Sequence, residues 1–257
     1  MDTYTIKEIE EKLQSIKSVD DPFFIRCKND SRKGVQLLVK KWEKNFQKSL
    51  ELNKQFENMM IFEKSLKQKG FQRIAGVDEV GRGPLAGPVV AASVILPDDF
   101  YLPGINDSKK LTEAKREQLY EDIVKNCVSY GIGIVQAEEI DVLNIYQATK
   151  KAMVHAVHAL CMKPDYLLID ALEIDVPFPQ ESIIKGDAKS VSIAAASIVA
   201  KVTRDRLMVE YSKKYPEYGF EKNAGYGTKE HLEAIRRYGP TPIHRKSFSP
   251  IKEMIDL

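Results

Sequence analysis

Four acids, each at the tail of an apolar run, carry the most chemistry in this sequence. "IAGVDEVGRGPLAGPVVAASVIL" (residues 74–96) sets Asp78 beside Glu79 at the end of a strand-like stretch, just before a Gly-Arg-Gly turn. "PDYLLID" ends on Asp170, and "ESIIKGD" ends near Asp187. A carboxylate buried without a partner is costly, so apolar strands normally avoid ending this way. Four carboxylates meeting where strands end would repel one another, and raised pKa values or bound cations are the two ways to relieve that. An oxygen-only cluster, lacking histidine and cysteine, suits hard cations such as Mg²⁺ or Mn²⁺ rather than zinc. Singly, each acid reads more simply as a helix cap or surface charge; together they favour a metal site. Alternation along a strand sends Asp78 and Glu79 to opposite faces, so a shared site requires the strand to break at Glu79.

The elements that must position these acids follow from periodicity. Ile6, Ile9, Leu13 and Ile16 mark a first helix, with a capping box at Thr5 and Glu8, and "VDDPFF" ends it. A second amphipathic pattern runs from about Gly34 to Lys67, with Val35, Leu38, Val39, Trp42, Phe46 and Leu50 on one face. Its other face is basic, because residues 31–70 hold ten Lys+Arg against four Asp+Glu. From Phe71 the rhythm changes to strands. "RIAGVD" and "PVVAASVIL" predict a hairpin, "SYGIGIVQ" a third strand, and "PDYLLID" and "ESIIKGD" two more. Helices are expected after Thr112, over "IYQATKKAMVHAVHALC", over "SVSIAAASIVAKVTRDRLMVEYSKKYP" and over "TKEHLEAIRRYG". This order predicts an α/β fold with a central mixed sheet flanked by helices, preceded by a helical extension. The expected division is residues 1–70 for the extension and 71–257 for the catalytic domain.

Charge is uneven along the chain. Residues 1–70 carry 15 Lys+Arg against 11 Asp+Glu, residues 71–198 carry 12 against 18, and residues 199–257 carry 12 against 8. An acidic middle between basic flanks suits acids that hold cations while the flanks hold a polyanion, although drift in surface charge explains it equally well. No apolar run approaches a membrane span, no secretory leader is seen, and three scattered cysteines suit a reduced compartment. A cytoplasmic monomer is the default expectation. His155 and His158 lie three apart on a helix without a third ligand, and His231 and His244 carry no recognisable pattern.

"GVDEVGRGPLAGPVVAASVIL", "DSKKL", "LLIDA", "IIKGDAKSVSIAAASIVAKVTRD" and "GYGTKEH" together resemble ribonuclease HII, the type 2 ribonuclease H family, from about Phe71 to Tyr238. The resemblance implies a ribonuclease H-like fold and divalent-metal cleavage of RNA in RNA/DNA hybrids. It also implies incision 5′ of single ribonucleotides in duplex DNA, leaving 3′-hydroxyl and 5′-phosphate ends. The family's catalytic, metal-holding acids fall on Asp78, Glu79, Asp170 and Asp187. Its Gly-Arg-Gly motif falls on Gly81, Arg82 and Gly83, its ribonucleotide-reading tyrosine on Tyr226, and basic residues near the substrate backbone on Lys109 and Lys185. Two metals about 3.5–4 Å apart would activate a water and stabilise the leaving oxygen. The sister family, ribonuclease HIII, shares this core, but the intact Gly-Arg-Gly and a helical extension favour type HII. A hybrid-binding module without cleavage, and a metal-dependent phosphatase or nuclease of other specificity, are the competing readings. Residues 1–70 lie outside the resembling core; the hypothesis for them is added affinity for duplex phosphates.

Overall fold

The computed structural model describes residues 4–255. The chain divides into two compact units, Met1–Gln55 and Phe56–Leu257. Phe56 and Met59, in the last turn of the long basic helix, are buried among the core residues of the second unit.

In the first unit, Thr5 and Glu8 form the expected reciprocal capping box at the start of α1 (Ile6–Ser15). "VDDPFF" does more than end that helix. The Asp21 carboxylate accepts from the amides of Phe23 and Phe24, and Pro22 sits in the first turn, so a second helix starts there, α2 (Pro22–Lys28). The long pattern becomes α3 (Lys33–Met59) and, after an interruption at Met60, α4 (Ile61–Gln68). Ile9, Leu13, Phe24, Cys27, Val35 and Val39 form the unit's own core, with Trp42 stacked on Phe46 at 4.8 Å.

In the second unit a five-stranded sheet has the order β3-β2-β1-β4-β5. Strands β1 (Ile74–Val80), β2 (Val89–Ile95) and β3 (Ser129–Val135) are antiparallel neighbours, with α5 (Glu113–Asn126) between the last two. The chain then crosses through α6 (Ala137–Leu143) and α7 (Ile145–His158), and lays β4 (Tyr166–Asp170) parallel to β1. A second parallel partner, β5 (Gln180–Ile183), closes the other edge. On one face Ala75, Val77, Ala91 and Ile169 bury against Ala152, Met153 and Ala156 of α7. On the other, Ala92 and Val94 meet Leu119 and Ile123 of α5 and the start of α8 (Val191–Lys214). Each valine, leucine, isoleucine or methionine among these, fully buried, contributes about 1.5–3 kcal/mol.

The expected mixed sheet with flanking helices is therefore present. Helix α8 is the buried spine: Val191 to Ala200 are enclosed all round, which is why its first half is apolar on every side. It lies directly on β1, where a Cβ at Gly76 would come within 2.0 Å of the Ser192 carbonyl carbon. The rest of the chain forms α9 (Phe220–Asn223), α10 (Lys229–Tyr238) and α11 (Ile251–Ile255).

Candidate active site

Strand β1 does not break at Glu79. It pairs with β2 through Val80↔Val90, whereas its ladder with β4 stops at Val77↔Ile169. Asp78 and Glu79 thus stand beyond the last rung on the β4 side, and the charge of Asp170, the last residue of β4, reaches both. Asp187 is not at a strand end either. Lys185 adopts a left-handed backbone (φ 58°) that stops the strand, and Asp187 sits in the short helical turn Gly186–Ala188 leading into α8. Its carboxyl also feels Asp170. The fold therefore brings all four acids into one electrostatic neighbourhood.

The environment of Asp78, Glu79 and Asp187 opposes ionisation. Burial pushes Asp78 well above the usual carboxylate range, and the charges of Glu79 and Asp170 add to this, opposed by bonds from Ser197 and the Glu79 amide. Glu79 is raised by burial against the pull of Arg82, whose guanidinium lies 3.4 Å from Oε1. Asp187 is raised first by burial, then by Asp107 and Asp170, with Lys109 opposing. Asp78 and Asp170 are turned towards backbone donors. Asp78 Oδ1 accepts from the Glu79 amide at 2.7 Å, and Asp170 Oδ1 from the Gly186 amide at 2.7 Å. In this arrangement no three acid, histidine or cysteine side chains among the described residues converge as an ion cage. Yet Glu79 Oε2 is buried with no hydrogen-bond partner. An orphaned carboxylate oxygen beside a buried like charge fits a cation and is costly otherwise.

Several residues near the acids gave no signal in the sequence. Asp107 lies close enough to Asp187 to raise it, and it accepts from the Lys109 amide at 2.9 Å, which fixes the "DSKKL" loop. Ser108 bonds Ser197 at 3.0 Å, and Arg116 donates to the Ser108 and Leu111 carbonyls, tying that loop to α8 and α5. Lys109 lies within electrostatic reach of Glu79 and Asp187. Lys185 is exposed two residues before Asp187.

The Gly81–Arg82–Gly83 turn faces Tyr226. A Cβ at Gly83 would lie 3.6 Å from the Tyr226 ring, and Tyr226 is 49% exposed. Gly81 needs its glycine, since φ is 95° and a Cβ there would strike the Arg204 side chain at 2.3 Å. Two arginines without a carboxylate in hydrogen-bonding contact hold this region from inside. Arg245 is fully buried and donates to the carbonyls of Gly81, Arg82 and Gly87. Arg204, 1% exposed, donates to Pro88, Ala86 and Ala224. Burial and the mutual repulsion of the two guanidiniums bring Arg245 down to about 9. Left-handed, non-glycine backbone gathers here as well. Ala171, Lys185 and Ala224 all have positive φ and adjoin Asp170, Asp187 and the Tyr226 loop. Strain held at such places is a mark of functional sites.

His155 and His158 are exposed on α7, as a non-ligating pair should be. His231 and His244, which have no distinguishing pattern in the sequence, are fully buried and face each other with Nε2 atoms 3.0 Å apart.

The ribonuclease HII profile matches residues 75–251, and the ribonuclease HII N-terminal domain profile matches residues 5–67. A ribonuclease HII from Geobacillus sp. (strain WCH70) is 57% identical over 257 residues, covering 100% of this chain and 93% of the relative. Among solved structures, the ribonuclease H2 of Pyrococcus horikoshii OT3 aligns with a TM-score of 0.62 at 29% identity. It covers 72% of this chain and 97% of its own. Bst ribonuclease HIII in complex with Mn²⁺ aligns at 0.56 with 19% identity over 74% of this chain and 71% of that one, a likeness of fold. The type HII profiles over both parts of the chain set the HIII alternative aside, and the chain belongs to the ribonuclease HII family, nucleases of the ribonuclease H type.

Proposed function

We propose that the chain is a divalent-metal-dependent endonuclease. It cleaves RNA in RNA/DNA hybrids and incises 5′ of single ribonucleotides embedded in duplex DNA, leaving 3′-hydroxyl and 5′-phosphate ends. The observation that carries this reading is the buried, partnerless Glu79 Oε2 beside Asp78 and within reach of Asp170. Asp78, Glu79, Asp170 and Asp187 are the residues that would hold Mg²⁺ or Mn²⁺, and the Mn²⁺ complex of the HIII relative supports a divalent ion. When bound, such ions lower the pKa of water and offset charge on the leaving oxygen. The choice between the two metals rests on measurement.

The chain's own residues do the reading. Arg82, 46% exposed in its side chain, can swing from Glu79 to a backbone phosphate. Gly81 and Gly83 let backbone groups approach a sugar, and the exposed Tyr226 ring faces the same space. The 2′-hydroxyl is the one group that distinguishes a ribonucleotide there. Lys109 and Lys185 can hold phosphates flanking the acids. In the first unit, Lys33, Lys40, Lys44 and Lys48 are exposed on one stripe of α3, about 22 Å long, suited to a row of duplex phosphates. We assign the protein to the cytoplasm as a monomer, supported by three free cysteines. No helix among the described residues is long and apolar enough to cross a membrane.

The test is a cleavage map on end-labelled duplex DNA holding one ribonucleotide, with Mg²⁺, Mn²⁺ or chelator. A metal-dependent nick 5′ of the ribonucleotide is expected. Tight binding without cutting would make the chain a recognition module, and full activity in Asp170→Asn would sink the assignment of the acids.

A further inference from the structure

Behind Tyr226 lies a chain of hydrogen bonds with only one consistent direction. The Thr241 backbone amide donates to His244 Nδ1 at 2.8 Å. A backbone amide cannot accept, so His244 Nδ1 carries no proton and its Nε2 does. That Nε2–H points at His231 Nε2, 3.0 Å away, which must accept. His231 therefore carries its proton on Nδ1, which lies 2.8 Å from the Tyr226 carbonyl oxygen. Both rings are neutral, both are at most 1% exposed, and both sit in a wall formed by Tyr218 and Phe220. The Thr228 amide donates to the same Tyr226 carbonyl at 2.8 Å, so that carbonyl is fixed from two directions.

The next residue along the chain, Arg245, donates to the carbonyls of Gly81 and Arg82. Backbone bonds complete the lacing: Gly87 to Ile243 at 2.8 Å, Arg245 to Leu85 at 2.8 Å, and Leu85 to Gly225 at 2.8 Å. Two successive residues, His244 and Arg245, thus hold the two sides of the space between Gly83 and the Tyr226 ring.

We infer that His231 and His244 are positioning residues, a directional pair that sets the Tyr226 backbone at a fixed distance from the Gly81–Gly83 turn and so sets the preference for an isolated ribonucleotide. The inference rests on the proposed role of Tyr226. An isolated ribonucleotide offers a single 2′-hydroxyl in one register, whereas a long hybrid offers many, so a loosened Tyr226 harms the first substrate more.

The experiment compares kcat/KM on a duplex with one ribonucleotide and on a long RNA/DNA hybrid, for wild type, Tyr226→Ala, His231→Leu and His231→Asn. An asparagine amide nitrogen falls close to the imidazole Nδ1 position and can still donate to the Tyr226 carbonyl; leucine cannot. Both His231 variants lose stability, because His244 Nε2–H loses its acceptor, so melting is recorded for each and rates are taken where all are folded. If the leucine variant does not fold, His231→Phe, which fills the space without a donor, replaces it. The expected result is that Tyr226→Ala and His231→Leu each lower the single-ribonucleotide to hybrid ratio about tenfold, while His231→Asn restores it. If Tyr226→Ala lowers the ratio and neither His231 variant moves it, the pair serves stability alone and the inference falls. If Tyr226→Ala leaves the ratio unchanged, the role of Tyr226 itself falls, and a shift in His231→Leu would then overturn the inference by a route other than Tyr226.

Discussion

Replacing Asp78 by Asn should make the protein more stable and inactive at once. Asp78 is 5% exposed, and burial, Glu79 and Asp170 all push its carboxyl upward. A folded pKa above the unfolded one means the folded state holds the proton more tightly. The group therefore favours folding at low pH and turns against it as pH rises through the folded value. Near neutral pH, without metal, the folded protein carries that penalty. Asn keeps an acceptor for the Glu79 amide, now 2.7 Å from Oδ1, and keeps nearly the same volume while removing the charge. Relief of a strained active-site group typically gains roughly 1–2 kcal/mol. At about 2–4 °C per kcal/mol for a chain of this size, Tm should rise by about 2–8 °C in chelator. Saturating Mn²⁺ should reverse the order, since a ligand at 100 times its Kd adds about 2.7 kcal/mol to the wild type and little to a variant that binds it poorly. Cleavage should fall by roughly a hundredfold or more. Calorimetry of both proteins with chelator and with Mn²⁺, beside a cleavage assay, reads every part of this. An Asp78→Asn protein that melts below wild type in chelator, and gains as much from Mn²⁺, would refute the reasoning.

Arg245→Met should cost roughly 3–5 kcal/mol in urea unfolding, because the Gly81, Arg82 and Gly87 carbonyls lose their buried donor. A loss under about 1 kcal/mol would mean water replaces the guanidinium. His244 is depressed to about 4, by burial and then by His231, below its unfolded value. Its contribution is complete above pH about 6.5 and is lost as pH falls from there towards about 4, roughly 3 kcal/mol in all. The stability difference between wild type and His244→Asn across that range reports the histidine pair, since His231 is also lowered by burial and Asp78 contributes alike to both proteins; a flat difference would count against a neutral pair. Removing residues 1–55, rather than 1–70, should weaken duplex binding and flatten its salt dependence, because up to four lysines that pair with phosphates go with them. Binding measured against salt concentration checks this, and an unchanged slope would make the α3 lysines a solvated face.

What could be read from residues alone was whatever short-range patterning dictates. The Thr5–Glu8 capping box, the hairpin of β1 and β2, the Thr112 cap and the apolar spine of α8 each follow from local spacing. Asp21–Pro22 was legible too, but its meaning was inverted: a stop signal for one helix is the start signal of the next. The boundary near Gln55 was not legible, because the apolar stripe of α3 continues unchanged while its packing partners change. The same limit hid Arg204, Arg245 and the histidine pair. Their partners are backbone carbonyls and each other's ring nitrogens, and a carbonyl acceptor leaves no mark on composition. Four acids could be named because carboxylates stand out after apolar runs in the sequence and fall on the motifs of the family it resembles. That both Asp78 and Glu79 lie within reach of the Asp170 charge without a strand break depends on where β4 stops, a fact of register.

The loop that carries His244 and Arg245 has a consequence for how the protein comes into being. Synthesis runs from the N-terminus, so the last of the four acids, Asp187, is made well before His244 and Arg245. A growing chain thus owns its carboxylates before it owns the segment that braces Gly81, Arg82 and Tyr226 from within. On the roles proposed above, the groups that would cut and the groups that would choose where to cut are laid down at different times. Loss of the chain beyond α10, by proteolysis or early termination, would therefore remove this brace while leaving all four acids in the chain.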